Sequence, residues 1–147
     1  MIRVSAKVTG AADLARRFLD AARPSGHVML ALEESATVVQ AEAQRLIHDG
    51  PKSGRIYKKY QPKRIHQASA PGEPPATDLG HLAANIIVDR AELGESRITI
   101  ASLAKYSAAL EFGTSKIKPR PFMRAAIRNS RAAVARIFRA AMRRRFR

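Results

Sequence analysis

The side chains best equipped for chemistry here are four histidines, and their spacing forms no site. His27, His48, His66 and His81 are scattered, with no HExxH and no close pair, whereas a zinc site needs several ligands on adjoining turns or strands. Imidazoles facing solvent or a partner are the expectation. The run GPKSGR at 50–55 suggests a phosphate loop but lacks the GxxxxGK[ST] spacing and a following helical pattern, so no amides are aimed at phosphate. Glu33 and Glu34 are neighbours on a helical pattern and point apart, which suits solvation better than acid–base pairing. No GxSxG elbow surrounds any serine, and the absence of cysteine removes thiolate nucleophiles, thiolate metal sites and disulfides. The expectation is no catalytic residue, no cofactor, no metal and no enzyme activity.

The cations carry the stronger signal. The formal charge is +15, and it is segregated. Residues 51–70 hold six basic residues and no acid, residues 112–147 hold twelve and no acid, and the remainder is net −3. Such a distribution suggests a polyanionic neighbour: DNA, RNA, an acidic protein surface or an anionic membrane. Guanidinium groups grip phosphate oxygens bidentately and keep their charge when desolvated. The candidate polyanion contacts are therefore Arg55, Lys58, Lys59, Lys63 and Arg64 in the first segment. In the second they are Arg124, Arg128, Arg131, Arg139, Arg143 and Arg144. Tyr57 and Tyr60 interleave with the first group, a mixture that single-strand binders use, although packing on a neighbouring subunit fits two tyrosines better. For the arginines, a solvated face or pairing with acids of a neighbouring subunit stays open beside phosphate contact.

These residues need elements to position them. At 147 residues the chain matches one domain. Residues 2–8 alternate as a half-buried strand, and 11–22 read as a helix. After Pro24-Ser25-Gly26, a longer helix carries Leu32, Ala36, Val39, Ala43 and Leu46 as one apolar stripe and should stop at Asp49-Gly50-Pro51. Residues 51–76 contain five of the eight prolines and little periodicity, which predicts an extended arm ordered only by a partner. Thr77 or Asp78 is suited to cap a short helix, LGHLAAN. NIIVDRA and SRITIAS around Gly94 predict a hairpin, and LAKYSAALEF predicts a helix from 103 ended by Gly113. The last helix should start at Pro121, with Met123, Ile127, Val134, Phe138 and Ala141 on one face and the arginines opposite. Phe112 and Phe122 both read as buried packing residues. This order of elements indicates an α+β domain: a small antiparallel sheet against a long N-terminal helix and a C-terminal helix at 121–146, with the arm at 51–76.

Two segments resemble a known family. HQASAPGEPPATDLGHL (66–82) and YSAALEFGTSKIKPRPFMRAAI (106–127) are similar to the phage neck or tail-component family typified by gene product ten of the Hong Kong ninety-seven phage. The similarity in order of elements spans residues 25–140. It departs from the family pattern at Leu79, His81 and Ala125, each beside a retained residue. The resemblance assigns an assembly motif to Pro71, Gly72, Glu73, Pro74, Pro75, Asp78, Gly80, Glu111, Phe112, Gly113, Thr114, Pro121 and Phe122.

It also implies a structural virion protein of the head–tail junction, present in several copies, six by expectation, in a ring through which the genome passes. The implied partners are further copies, neighbouring head-closure, tail-terminator or tail-tube proteins, and packaged double-stranded DNA. The alternative from composition is a non-specific nucleic-acid-binding protein of the host, for which no RRM, KH, helix-turn-helix or zinc-finger pattern is present. With no signal-peptide core and no run of about 18 apolar residues, the expected location is the host cytoplasm during assembly and then the virion, away from membranes.

Overall fold

The computed structural model describes residues 26–61 and 63–145. The expected strand at 2–8 and helix at 11–22 lie outside the described residues.

Helix α1 runs from Gly26 to Asp49 and buries Ala31, Ser35, Ala36, Val39, Ala43, Leu46 and Ile47. The expected stripe is thus the buried face, with Leu32 half-buried at its margin. Termination is steric as well as conformational. The Gly50 N–H donates to the Leu46 carbonyl at 3.0 Å, and a Cβ at Gly50 would meet that same oxygen at 2.2 Å. Pro51 then offers no N–H with which to continue.

The segment expected as a structureless arm is instead an antiparallel hairpin, β1 (Ile56–Tyr60) and β2 (Lys63–Gln67), with Tyr57 opposite His66 and Lys59 opposite Arg64. Ile56, Tyr60 and Ile65 share the outer face with Lys58, Lys63 and Gln67, while Lys59, Arg64 and His66 turn inward with Tyr57, so hydrophobic periodicity gives no core-facing strand signal.

The chain then returns to the end of α1, where the Thr77 N–H donates to the Ile47 carbonyl at 3.2 Å. Helix α2 is only His81–Ala84, and neither Thr77 nor Asp78 caps it. Thr77 Oγ1 accepts from the Gly80 N–H at 3.0 Å, while Asp78 is drawn to the hairpin.

The second expected hairpin is present. Strand β3 (Ile86–Asp89) pairs antiparallel with β4 (Thr99–Ser102) across a 3-10 turn at Leu93–Glu95. It lies along α1, where Gln40 Nε2 donates to the Ile86 carbonyl at 2.7 Å and Gln44 Nε2 to the Ala83 carbonyl at 3.2 Å.

Helix α3 is Ser107–Phe112, shorter than expected from residue 103, and Gly113 ends it with φ 78°. Helix α4 is Met123–Arg145. Pro121 therefore precedes the helix by two residues instead of opening it. Helix α4 lies antiparallel along α1, since Asn129 Nδ2 donates to Glu42 Oε1 at 2.8 Å while residues 136–144 border residues 27–34.

The central core joins Val39, Ala43, Leu46 and Ile47 of α1 to Leu82, Ala83, Ile86, Phe122, Ala125 and Ala126. Small side chains on α1 and α4 let their axes approach closely. Two expectations about this core fail. Ile127 is exposed, because the packed face of α4 turns through Ala126, Ser130, Val134 and Ala141. Phe122 is fully buried, but Phe112 is 69 % exposed. The residue beside it, Glu111, takes the inward position. The result is α+β, with the two long helices packed on each other and two separate two-stranded antiparallel sheets.

Candidate functional site

The two segments that carry the resemblance are far apart in sequence and are folded onto each other. The Gly72 N–H donates to the Pro119 carbonyl at 2.9 Å. The Arg120 guanidinium reaches the Ser69 carbonyl with Nε and Nη2, each at 3.3 Å, and the Arg120 N–H donates to the Leu110 carbonyl at 2.6 Å. Gly113 is required at this crossing, because a side chain there would meet the Ile117 carbonyl at 2.8 Å and the Pro119 ring at 2.9 Å. Thr114 Oγ1 closes the loop by accepting from the N–H groups of Lys116 and Ile117 at 3.2 and 3.1 Å.

Two of the motif's three acidic residues, Glu73 and Glu111, organise backbone. The Glu73 carboxylate accepts from the Ala70 N–H at 2.7 Å, the Ser53 N–H at 3.1 Å and the Ser53 hydroxyl, and these bonds lower its pKa. Glu111 is buried and accepts from three successive amides, Phe122 at 2.8 Å, Met123 at 3.0 Å and Arg124 at 3.0 Å. It thereby satisfies the first turn of α4, whose amides have no partner within the helix. Arg124 Nε adds a bond at 2.9 Å, and its guanidinium sits 5.2 Å from the Phe112 ring centroid. Burial by itself pushes the Glu111 pKa up, but the three amides and Arg124 outweigh it and the pKa is lowered.

Asp78 latches the first hairpin. Arg64 donates to it through Nε and Nη2, each at 2.8 Å, and Lys59 donates through Nζ. The His66 Nδ1 lies 3.8 Å away, too far for a hydrogen bond. The Arg64 and Lys59 bonds hold the Asp78 carboxyl well below the usual carboxylate range. Around Asp78 opens a cleft of about 420 Å³ that also borders His66, His81, Tyr106, Leu110 and Arg120. A carboxylate clamped by two cations is a poor base. Among the described residues, no group of three His, Asp or Glu side chains could hold a metal ion. No described helix is long and apolar enough to cross a membrane.

Asp78→Asn should leave the core intact yet release the hairpin. The expected result is markedly faster trypsin cleavage within residues 58–63, with the melting transition of the rest little changed. Equal cleavage rates in the wild type and the variant would show that the latch does not order the hairpin.

The nominated cations divide into two groups. Lys59 and Arg64 are held by Asp78, and Arg124 by Glu111. Arg55 stacks 5.6 Å from the Tyr57 ring centroid, and Lys58 and Lys63 are open. Arg128, Arg131, Arg139, Arg143 and Arg144 are exposed on α4 and form no ion pair among the described residues. From residue 128 to 143 that stripe extends for about 22 Å at 1.5 Å per residue. Sequence reasoning missed the roles of Ser53, Ser69 and Arg120, whose partners are remote along the chain. It also took Glu111 only as a motif letter. A glutamate 11 to 13 residues before a helix start has no local signature.

No family model, curated protein or solved structure matches this chain.

Proposed function

We propose that the chain is a non-enzymatic structural protein of the head–tail junction of a long-tailed phage or prophage. In this reading it assembles with copies of itself, six by expectation, into a ring that joins or completes the tail and lets the genome pass. The supporting observation is the interlocked unit of residues 66–82 and 106–127, the segments that carry the resemblance. It is rigidified by Glu73, Glu111 and Arg120, yet it leaves Leu79, Tyr106, Phe112 and Ile117 open to solvent. Leu79 and Tyr106 line one cleft, contiguous exposed apolar side chains mark interaction surfaces, and a stiff frame lowers the entropic cost of docking. Further copies and neighbouring head-closure, tail-terminator or tail-tube proteins are the partners of that surface. It acts in the virion, after assembly in the host cytoplasm.

The arginine stripe of α4 favours a polyanion as an additional partner. In the junction this is packaged double-stranded DNA. The same stripe is the one feature that favours the second reading, a non-specific nucleic-acid-binding protein of the host.

Replacing Arg139, Arg143 and Arg144 together by Gln separates these cases, since all three are exposed and the fold should survive. With DNA as partner, particles assemble but retain the genome poorly, and the salt dependence of DNA binding flattens by about one unit of slope per lost phosphate contact. With an acidic protein ring as partner, full heads and tails accumulate separately. Normal infectivity, assembly and DNA retention would make the stripe a solvated surface.

A further inference from the structure

We infer that the outer face of the β1–β2 hairpin is one half of a head-to-tail contact between copies of this chain. The other half is the acidic tip of the β3–β4 hairpin on the next copy. This rests on the assembly reading above and assigns its interface.

The strand register places Ile56, Lys58 and Tyr60 of β1 on one face with Lys63, Ile65 and Gln67 of β2. That face is open: Ile56 is 60 %, Tyr60 79 % and Ile65 73 % exposed. A lone two-stranded hairpin is marginal in water, and only the inner face of this one is secured, through Asp78. A face of three bulky apolar residues and two lysines, in a segment with no acid from 51 to 70, fits a receptor that is apolar and negatively charged.

The chain carries such a surface. Among the described residues, Glu73, Asp78 and Glu111 are consumed by internal bonds. Glu42 is held by Arg45 and Asn129, Glu34 borders Arg136 and Arg144 of α4, and Asp49 is exposed singly at the end of α1. Asp89, Glu92 and Glu95 lie along the β3–β4 tip, all exposed, with Leu93 and Ile98 half-buried in the same stretch. Glu92 is paired with Arg97 and Asp89 Oδ1 accepts from the Ala91 N–H at 2.9 Å, while the Glu95 carboxylate has no partner among the described residues. The two basic residues there are already engaged, Arg90 by Glu33 and Arg97 by Glu92, at 2.9 and 3.0 Å.

The two patches are at opposite ends of α1. The segment that carries the hairpin latch is fixed at Ile47 and the acidic tip at Glu33, a separation of about 21 Å along the helix at 1.5 Å per residue. A contact between two different patches is heterologous, so each copy leaves one of each for its neighbours and the chain of contacts closes into a ring or runs on as a filament.

A nucleic acid fits the hairpin face less well. Lys59 and Arg64 are already paired with Asp78, Tyr57 points to the inner face, and Tyr60 is the one ring on the outer face, beside Ile56 and Ile65, which offer none for base stacking.

A charge exchange tests the contact on the full chain. One variant carries Lys58→Glu and Lys63→Glu, the other Glu92→Lys and Glu95→Lys; circular dichroism and melting confirm that both fold. Sedimentation velocity at low salt should show wild-type self-association, a fall of at least about tenfold in each variant alone from like-charge juxtaposition, and recovery when the two are mixed in equal amounts. Mixing restores opposite charges at every contact, which no effect on folding can imitate.

The inference is overturned if the wild type stays monomeric, if either variant associates as the wild type does, or if the mixture stays dissociated. It is also overturned if the hairpin variant loses only binding to DNA or RNA, which would make this face a nucleic-acid surface. If instead the chain is absent from particles but the exchange succeeds, the phage reading fails while the contact between copies stands.

Discussion

Glu111→Ala is expected to remove about 3–5 kcal/mol of stability, the cost of breaking a buried charged interaction and leaving its partners without an acceptor. Three amides at the start of α4 lose their acceptor at once, and α4 supplies one wall of the core. Total stability of a domain is about 5–15 kcal/mol, so the variant should unfold at far lower denaturant or fail to fold. Glu111→Gln keeps one carbonyl oxygen but loses the charge, and should fall between the two.

Acid gives an independent readout of the same group. A carboxyl whose folded-state pKa lies below its ordinary 4.5 stabilises the fold above that pH and loses its contribution as the pH falls through the folded-state value. Wild-type stability should therefore decline from about pH 5 downward, more steeply than in Glu111→Gln. Some slope remains in the variant, because Glu42, lowered to about 2 chiefly by its hydrogen bond with Arg45, and Glu73 and Asp78 titrate in the same direction. Equal slopes in the wild type and Glu111→Gln would contradict the capping role.

Phe122→Ala should cost about 3–5 kcal/mol, as expected for truncating a fully buried aromatic. Phe112→Ala should cost less than about 1 kcal/mol, since an exposed ring loses only its contact with the Arg124 guanidinium. The two phenylalanines lie ten residues apart in one motif, and local sequence alone assigns both to the core. Comparable losses in the two variants would mean that Phe112 is packed. A neutral Phe112→Ala that impairs assembly would identify the ring as a docking residue.

The contrast between these residues illustrates what could be read without the fold. Helix α1 was legible from Ala36, Val39, Ala43 and Leu46, because a helix that packs on a core must repeat its apolar residues every three or four positions. The β3–β4 hairpin was legible because Ile86, Val88 and Ile100 are β-branched and flank a Gly-containing turn.

The first hairpin was not legible. Its cohesion comes from cations gathered around Asp78, more than ten residues away, and it shows its isoleucines to solvent. The sequence at 61–62, Gln-Pro, also lacks the Asn-Gly or Asp-Gly pair that announces a tight turn. The candidate surface was legible as a set of motif residues but not as a shape. Gly72 meets Pro119, and Ser69 meets Arg120, only because the chain returns to the same place after more than forty residues.

The proposed function requires this protein to be a built-in part of a tailed particle. Deleting its gene from the producing element, then fractionating the lysate on a density gradient with electron microscopy and mass spectrometry of each band, tests that claim most directly. The expected result is the chain in wild-type particles at a fixed, low copy number, and in the deletion DNA-filled heads and unattached tails with no infectious particles, restored by supplying the gene in trans. Intact, infectious particles from the deletion, or wild-type particles free of the chain, would contradict it.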